Sequence, residues 1–264
     1  MLASRIKLKL PWSSEGTVQV SYDHNTSKYI PGWLGFMGNG IAPSASLWLS
    51  DITGSPPLWA GGISLGDTIL SSLKEYAMFY KYARVYASSC HLEVYNGQFY
   101  TGYTSPATER YAAEPLLVNC ITLPLTVSGL FEDDNGPLVM NSYSPAQLMQ
   151  YPRMKYRYLG GTTNSTVLGH FKTYGKTKTM LGYSKLEDNQ ECNCTLKYDS
   201  LTSSDWENPN AGWYHYFRFD LPVFRDNPPG SSGVQTHTFR YIVKMKYYVE
   251  LFGYRFLVPQ AMTS

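Results

Sequence analysis

The sequence predicts an all-β protein: a single Greek-key jelly-roll sandwich of about eight strands, with two short helices in the connections. Three observations predict it. Aromatic residues make up 15% of the chain, 23 residues being Tyr, and such side chains fit pleated, half-buried surfaces. Apolar residues recur at period two along most of the sequence. The 22 Gly and 16 Pro are spread along it, as many turns between strands require. Strands never alternate with long helices, which argues against a parallel α/β sheet. No internal repeat or Pro/Ser linker divides the sequence, so residues 1–264 read as one domain.

Arg5 to Leu10 alternates Ile6, Leu8 and Leu10 with Arg5, Lys7 and Lys9, and the pattern resumes at 17–22 after a Pro-Trp-Ser-Ser-Glu-Gly break. Residues 29–66 read as a long loop rich in Gly, Pro and large apolar side chains, with Asp51 its only charge. A solvated loop of that length carries more charge, so this one either covers its own core or is buried against a second subunit. On the second reading Trp33, Phe36, Trp48 and Trp59 are the inter-subunit candidates. Residues 64–80 read as a helix, with Ser64 as cap, Asp67 three residues on, and Ile69, Leu73, Tyr76, Ala77 and Tyr80 on one stripe. The helix feeds a strand over 82–95 that ends at Asn96-Gly97. A nearly uncharged strand follows within 116–127, then a short helix over 144–150 with Pro145 at its first position. The segments 153–161, 165–175, 176–183, 191–198 and 212–224 all read as strands. In the last, HTFRYIVKMKYYVELFGYRF (237–256), Tyr241, Val243, Met245, Tyr247, Val249 and Leu251 share one face, and Arg240, Lys244, Lys246 and Glu250 the other.

Formal charge is +2, far from that of a protein whose whole surface grips nucleic acid. Any cationic function therefore comes from local placement. No apolar run reaches the length of a membrane span, and no secretory h-region opens the sequence. Cys192-Asn-Cys194 is a lone CxC without the further ligands that zinc needs, so no metal is assigned, and the four cysteines read as thiols of a reducing compartment.

No catalytic motif occurs, and the chain does not read as an enzyme. His91 and His215 alternate with core positions and read as structural. Glu132-Asp133-Asp134 before Asn135-Gly136 reads as a turn, with calcium as the alternative. A hydrolytic jelly roll needs paired carboxylates, for which Glu93, Glu250 and Asp220 are the strand-borne candidates. The rows Arg5, Lys7, Lys9; Arg153, Lys155, Arg157; Lys172, Lys176, Lys178; and Arg240, Lys244, Lys246 are either solvated faces or parts of one basic surface. With Tyr between the cations, the latter suits phosphate neutralisation and base stacking without sequence readout.

The run EYAMFYKYARVYASSCHLEVYNG, the segment YPRMKYRYLGG, the basic GHFKTYGKTKTMLGY and the closing WYHYFRFDL…HTFRYIVKMKYYVELFGYRF resemble, in order, the capsid proteins of circovirus-like, Rep-encoding circular single-stranded DNA viruses. The resemblance implies a self-assembling coat protein, present in about 60 copies in a T=1 icosahedral shell around a DNA genome, without cofactor or membrane. It places the protein in the virion, and in the host nucleus or cytoplasm during assembly, with a host receptor that it does not specify. That family carries an Arg-rich arm before its first strand, whereas here the sequence starts almost at that strand. The residues expected to face DNA are Arg5, Lys7, Lys9, Arg240, Lys244 and Lys246. Two other readings remain: a monomeric carbohydrate-binding or hydrolytic jelly roll, with Trp33, Trp48 and Trp59 as a sugar platform, and the coat protein of a small RNA virus.

Overall fold

The structure, a computed structural model, describes residues 4–23, 30–41, 45–49, 59–62, 70, 73–95, 99–101, 116–124, 145–150, 154–159, 167–197, 206–221 and 234–255. The strands are β1 (Arg5–Asp23), β2 (Ile30–Met37), β3 (Ala45–Leu49), β4 (Trp59–Gly62), β5 (Tyr80–Tyr95), β6 (Phe99–Thr101), β7 (Leu116–Pro124), β8 (Lys155–Leu159), β9 (Val167–Lys176), β10 (Cys194–Thr195), β11 (Trp213–Leu221) and β12 (Val234–Tyr254). Among the described residues three short helices lie between them: α1 (Leu73–Ala77), α2 (Pro145–Met149) and α3 (Thr177–Leu181).

The long strands pair in a nested order. β1 runs antiparallel to β12, β2 to β11, β5 to β9, and β7 to β8. The chain is thus a long ribbon folded back on itself. Two further pairings, β12 with β5 and β11 with β7, roll it into two sheets of core order β1-β12-β5-β9 and β2-β11-β7-β8. That is a jelly roll. The short strands β4, β6 and β10 widen the first sheet to seven and β3 widens the second to five.

Period two puts every second side chain into the space between the sheets. Tyr241, Val243, Met245, Tyr247, Val249 and Leu251 of β12 are all buried there, as the alternation predicts. In β5 the inward set is Ala83 and Val85, then Ser88, Cys90, Leu92 and Val94. The change of parity comes from a bulge: Tyr86 and Ala87 both fall between Val85 and Ser88, while β12 advances only from Val249 to Tyr248 and on to Tyr247. Without that extra residue, one half of β5 would turn its apolar side to solvent.

Several expectations are corrected. Phe36 is not available to another subunit. It is fully buried, with its ring 6.3 Å from Trp12, 6.0 Å from Phe217 and 6.3 Å from Tyr241, so it fastens one sheet to the other. The stretch 29–66 is not one long loop, because β2, β3 and β4 fall inside it. Trp33, Trp48 and Trp59 are strand residues, with Trp33 opposite Trp48 and Trp59 opposite Val20. The Pro-Trp-Ser-Ser-Glu-Gly break does not interrupt β1, in which Pro11 stands opposite Lys246 and the next residue, Trp12, enters the core. Segment 176–183 is no strand: Thr177 turns inward to donate to the Val85 carbonyl at 2.7 Å and starts α3, which ends on left-handed Gly182. Segment 191–198 reduces to a 3-10 turn and the two-residue β10.

Of the helix expected over 64–80, the structure shows α1, whose Leu73 and Ala77 are buried, while Tyr80, expected on its stripe, opens β5; residues 64–69, 71 and 72 lie outside the described residues. The carboxylate run 132–134 lies outside the described residues. No helix among the described residues is long and apolar enough to cross a membrane.

Candidate nucleic-acid interface

The side of the seven-stranded sheet that faces away from the core carries most of the charge on the described strands. All six residues expected to face DNA lie on it, three from β1 and three from β12. Registers on adjacent strands arrange the face in cross-strand rows. Pro11, Lys246, Ser89 and Tyr174 form one, from β1 through β12 and β5 to β9. Ser13, Lys244, His91 and Lys172 form the next; Lys9, Tyr248, Ala87 and Lys176 flank the first on its other side. Lys7, Glu250 and Arg84 follow. Lys172 and Lys176 therefore belong with the expected six, through the pairing of β9 with β5.

The cations differ in their partners. Arg5 and Arg84 both approach Glu250, at 3.9 Å and 3.8 Å, and Arg240 pairs with Glu15. Lys244 donates to Glu93 at 2.8 Å. That bond lowers the Glu93 carboxyl below its usual range and raises the Lys244 ammonium above its own. Lys7, Lys9, Lys172, Lys176 and Lys246 meet no carboxylate among the described residues. Lys7 stands 5.9 Å over the Tyr86 ring and Lys9 the same distance over Tyr248. The two tyrosines lie 5.9 Å apart, so a cation and an aromatic face are offered side by side twice. Next to them a cleft of about 520 Å³ is lined by Ser89, His91, Lys155, Lys172, Tyr174, Lys244 and Lys246 among others. Such a surface neutralises phosphates and stacks planar rings without reading a sequence.

Three sequence readings change here. Lys155 and Arg157 do not join this face, because β8 belongs to the other sheet, and Arg153 lies outside the described residues; Lys155 alone reaches over, donating to the Lys172 carbonyl at 3.3 Å. His91 is no core residue. It points outward and contacts His170 and Glu93, an arrangement signalled only by the outward parity of His91-x-Glu93 against Cys90, Leu92 and Val94. Glu93 and Glu250 do not form a catalytic pair: Glu93 stands opposite Ile242, eight residues of β12 from Glu250. That is roughly 27 Å, against the roughly 5–10 Å that two glycosidase carboxylates span. His215, in contrast, is buried and bonded at both nitrogens, as a structural histidine should be.

Fold and face together define a jelly-roll protein with a basic, tyrosine-studded sheet surface. The solved structures similar to it include virus capsids. The capsid protein of the 60-mer of BFDV is 9% identical over 98% of this chain and 99% of that one, with a TM-score of 0.36. The Desmodium yellow mottle tymovirus protein is 10% identical over 98% and 94%, with a TM-score of 0.32. The capsid of Penaeus monodon metallodensovirus after EDTA treatment is 8% identical over 96% and 76%, with a TM-score of 0.36. No family model matches the sequence, and no curated protein matches it.

Proposed function

We propose that this chain is a virus coat protein that assembles with copies of itself into a closed icosahedral shell, its basic sheet face turned toward an enclosed single-stranded DNA genome. The observation that carries the reading is the convergence of Arg5, Lys7, Lys9, Arg240, Lys244 and Lys246, joined by Lys172 and Lys176, on one outward face of a jelly roll. Tyr86 and Tyr248 sit among these cations. Identical subunits burying complementary patches form a closed assembly when their symmetry closes, and many weak contacts then act together. The aromatic segments carrying Trp33, Trp48 and Trp59 supply such patches. The enclosed polymer is bound through phosphate charge and ring stacking, so binding weakens with salt and tolerates any sequence.

Electron microscopy of the purified protein tests the assembly: closed shells of uniform size are expected, and a strictly monomeric species across salt and pH overturns it. Nuclease-protected single-stranded DNA extracted from the particles is the expected content. Protected RNA in its place corrects the genome while leaving the shell.

A carbohydrate-binding reading is favoured by a different place. A cleft of about 900 Å³ is lined by Arg5, Tyr82, Arg84, Gln190, Asn193 and Asn208 among others, with the Tyr82 ring stacked on Phe252 at its wall. Polar amides beside an aromatic face suit a sugar. A glycan array probed with wild type and Tyr82→Ala decides: saturable binding lost in the variant supports this reading, and no binding rejects it.

A further inference from the structure

On the same outward face, β5 and β9 bring together three side chains whose chemistry differs from that of the lysines around them. Glu93 stands directly opposite His170, and His91 precedes Glu93 by two residues, so all three project from one side of two paired strands. His91 Nε2 lies 3.3 Å from His170 Nδ1, and His91 Nδ1 lies 3.9 Å from Glu93 Oε1. One donor atom from each residue falls within 4.8 Å of the other two. We propose that His91, His170 and Glu93 form a binding site for a zinc-class divalent transition metal, with three protein ligands and a fourth position open to solvent.

The geometry and the donor set select the ion. Zinc holds nitrogen and oxygen ligands at ~2.0–2.2 Å, which puts two ligand atoms of a tetrahedron about 3.3 Å apart. The two imidazole nitrogens already stand at that separation. Two imidazoles and one carboxylate suit zinc, copper or nickel, whereas calcium and magnesium require oxygen ligands. The supporting layer is present too. Glu93 Oε2 accepts from the Tyr95 hydroxyl at 3.0 Å, which fixes the carboxylate plane and leaves Oε1 for the metal. In the absence of an ion Oε1 is taken by the Lys244 ammonium at 2.8 Å. That side chain is 54% exposed and pivots into water when the cation arrives. Lys172, opposite His91, has the same freedom.

The site is independent of what the chain assembles into, and the test uses the folded chain stripped with EDTA. Zinc chloride is titrated calorimetrically at about pH 7.5, and cobalt chloride is followed by visible absorption. One ion per chain is expected, with binding weakened at least about tenfold in His91→Ala and in His170→Ala. The cobalt spectrum is expected to show nitrogen and oxygen coordination without a thiolate charge-transfer band. Lys244→Met, which frees Oε1 without touching a ligand, is expected to tighten binding several-fold. His170 is exposed, so its variant keeps the fold, which circular dichroism checks. No saturable binding below about 1 mM in the wild type overturns the proposal. So does wild-type affinity retained in both histidine variants, or a thiolate band, which would put the ion on the cysteines.

Discussion

Between Ser88 and Thr173 the His215 ring has both nitrogens engaged, and the direction of each bond follows from the donors. Ser88 Oγ donates to the Gly38 carbonyl at 2.6 Å, so toward His215 Nε2, 3.0 Å away, it accepts. The proton of His215 is therefore on Nε2, and Nδ1 accepts from the Thr173 hydroxyl at 2.7 Å. This chain crosses from β9 through β11 to β5 and satisfies every group without a charge. Protonation would add a second N–H with no acceptor in a fully buried place, and burial pushes the His215 pKa down to about 3. The sign follows by linkage. The unfolded chain binds the proton near pH 6.5 and the folded one only near 3, so the stabilisation is complete above about pH 6.5 and is lost as pH falls toward 3. The ceiling of that loss is on the order of 5 kcal/mol. Denaturant unfolding of the subunit from pH 7 to 4 should show this decline, and His215→Gln, less stable at pH 7, should show a flatter one. Equal slopes would mean that other groups set the acid limit.

At the scale of elements, Trp213 shows how closely the two sheets meet at one end. It opens β11 and is fully buried. Its indole N–H donates to Thr177 Oγ1 at 3.1 Å, and its ring lies against the backbones of Gly38 and Gly175. A Cβ on Gly175 would come 2.5 Å from Trp213 Cη2, and one on Gly38 2.4 Å from Cζ3. Neither contact is tolerable without movement of the ring. Gly175→Ala should therefore cost about 1–3 kcal/mol by overpacking, read as a lower denaturation midpoint with an unchanged m-value. Trp213→Phe, which vacates space, should restore part of that loss in the double variant; additive losses would refute the steric account.

The same elements show what the sequence made legible. The inward residues of β12 and the outward lysines of β1 and β12 were readable because period two acts over many residues. The turn into α3 was not. Lys176-Thr-Lys-Thr alternates as well as any strand, and only the tertiary bonds of Thr177 to Val85 and Trp213 separate it from one. The parity change at Tyr86 and Ala87 was hidden too, because a bulge has no required residue. Which sheet each basic row joins was likewise beyond reach: the row on β8 looks like the row on β1 until the nested pairing separates them.

Over the whole molecule, a net charge of only +2 coexists with a face whose cations outnumber Glu15, Glu93 and Glu250. Among the described residues, positive charge is therefore concentrated on this face. A face of that charge attracts a polyanion, and a closed assembly around the polymer would set such faces inward. The salt dependence of binding measures how many cations take part. For single strands log K falls against log salt with a slope of about 0.7 per neutralised phosphate. Lys7, Lys9 and Lys246, which meet no carboxylate among the described residues, are the cations freest to contribute. Replacing all three with Gln should lower the slope for random-sequence single-stranded DNA by about 2 and weaken binding at every sequence alike. The control carries Gln at Lys74, Lys178 and Lys185, which are exposed and lie on no strand of this sheet, with the same loss of formal charge. Its slope should stay at the wild-type value. A fall of equal size in both variants would mean that the polymer responds to net charge alone, and the sheet face would then have no privileged part in holding it.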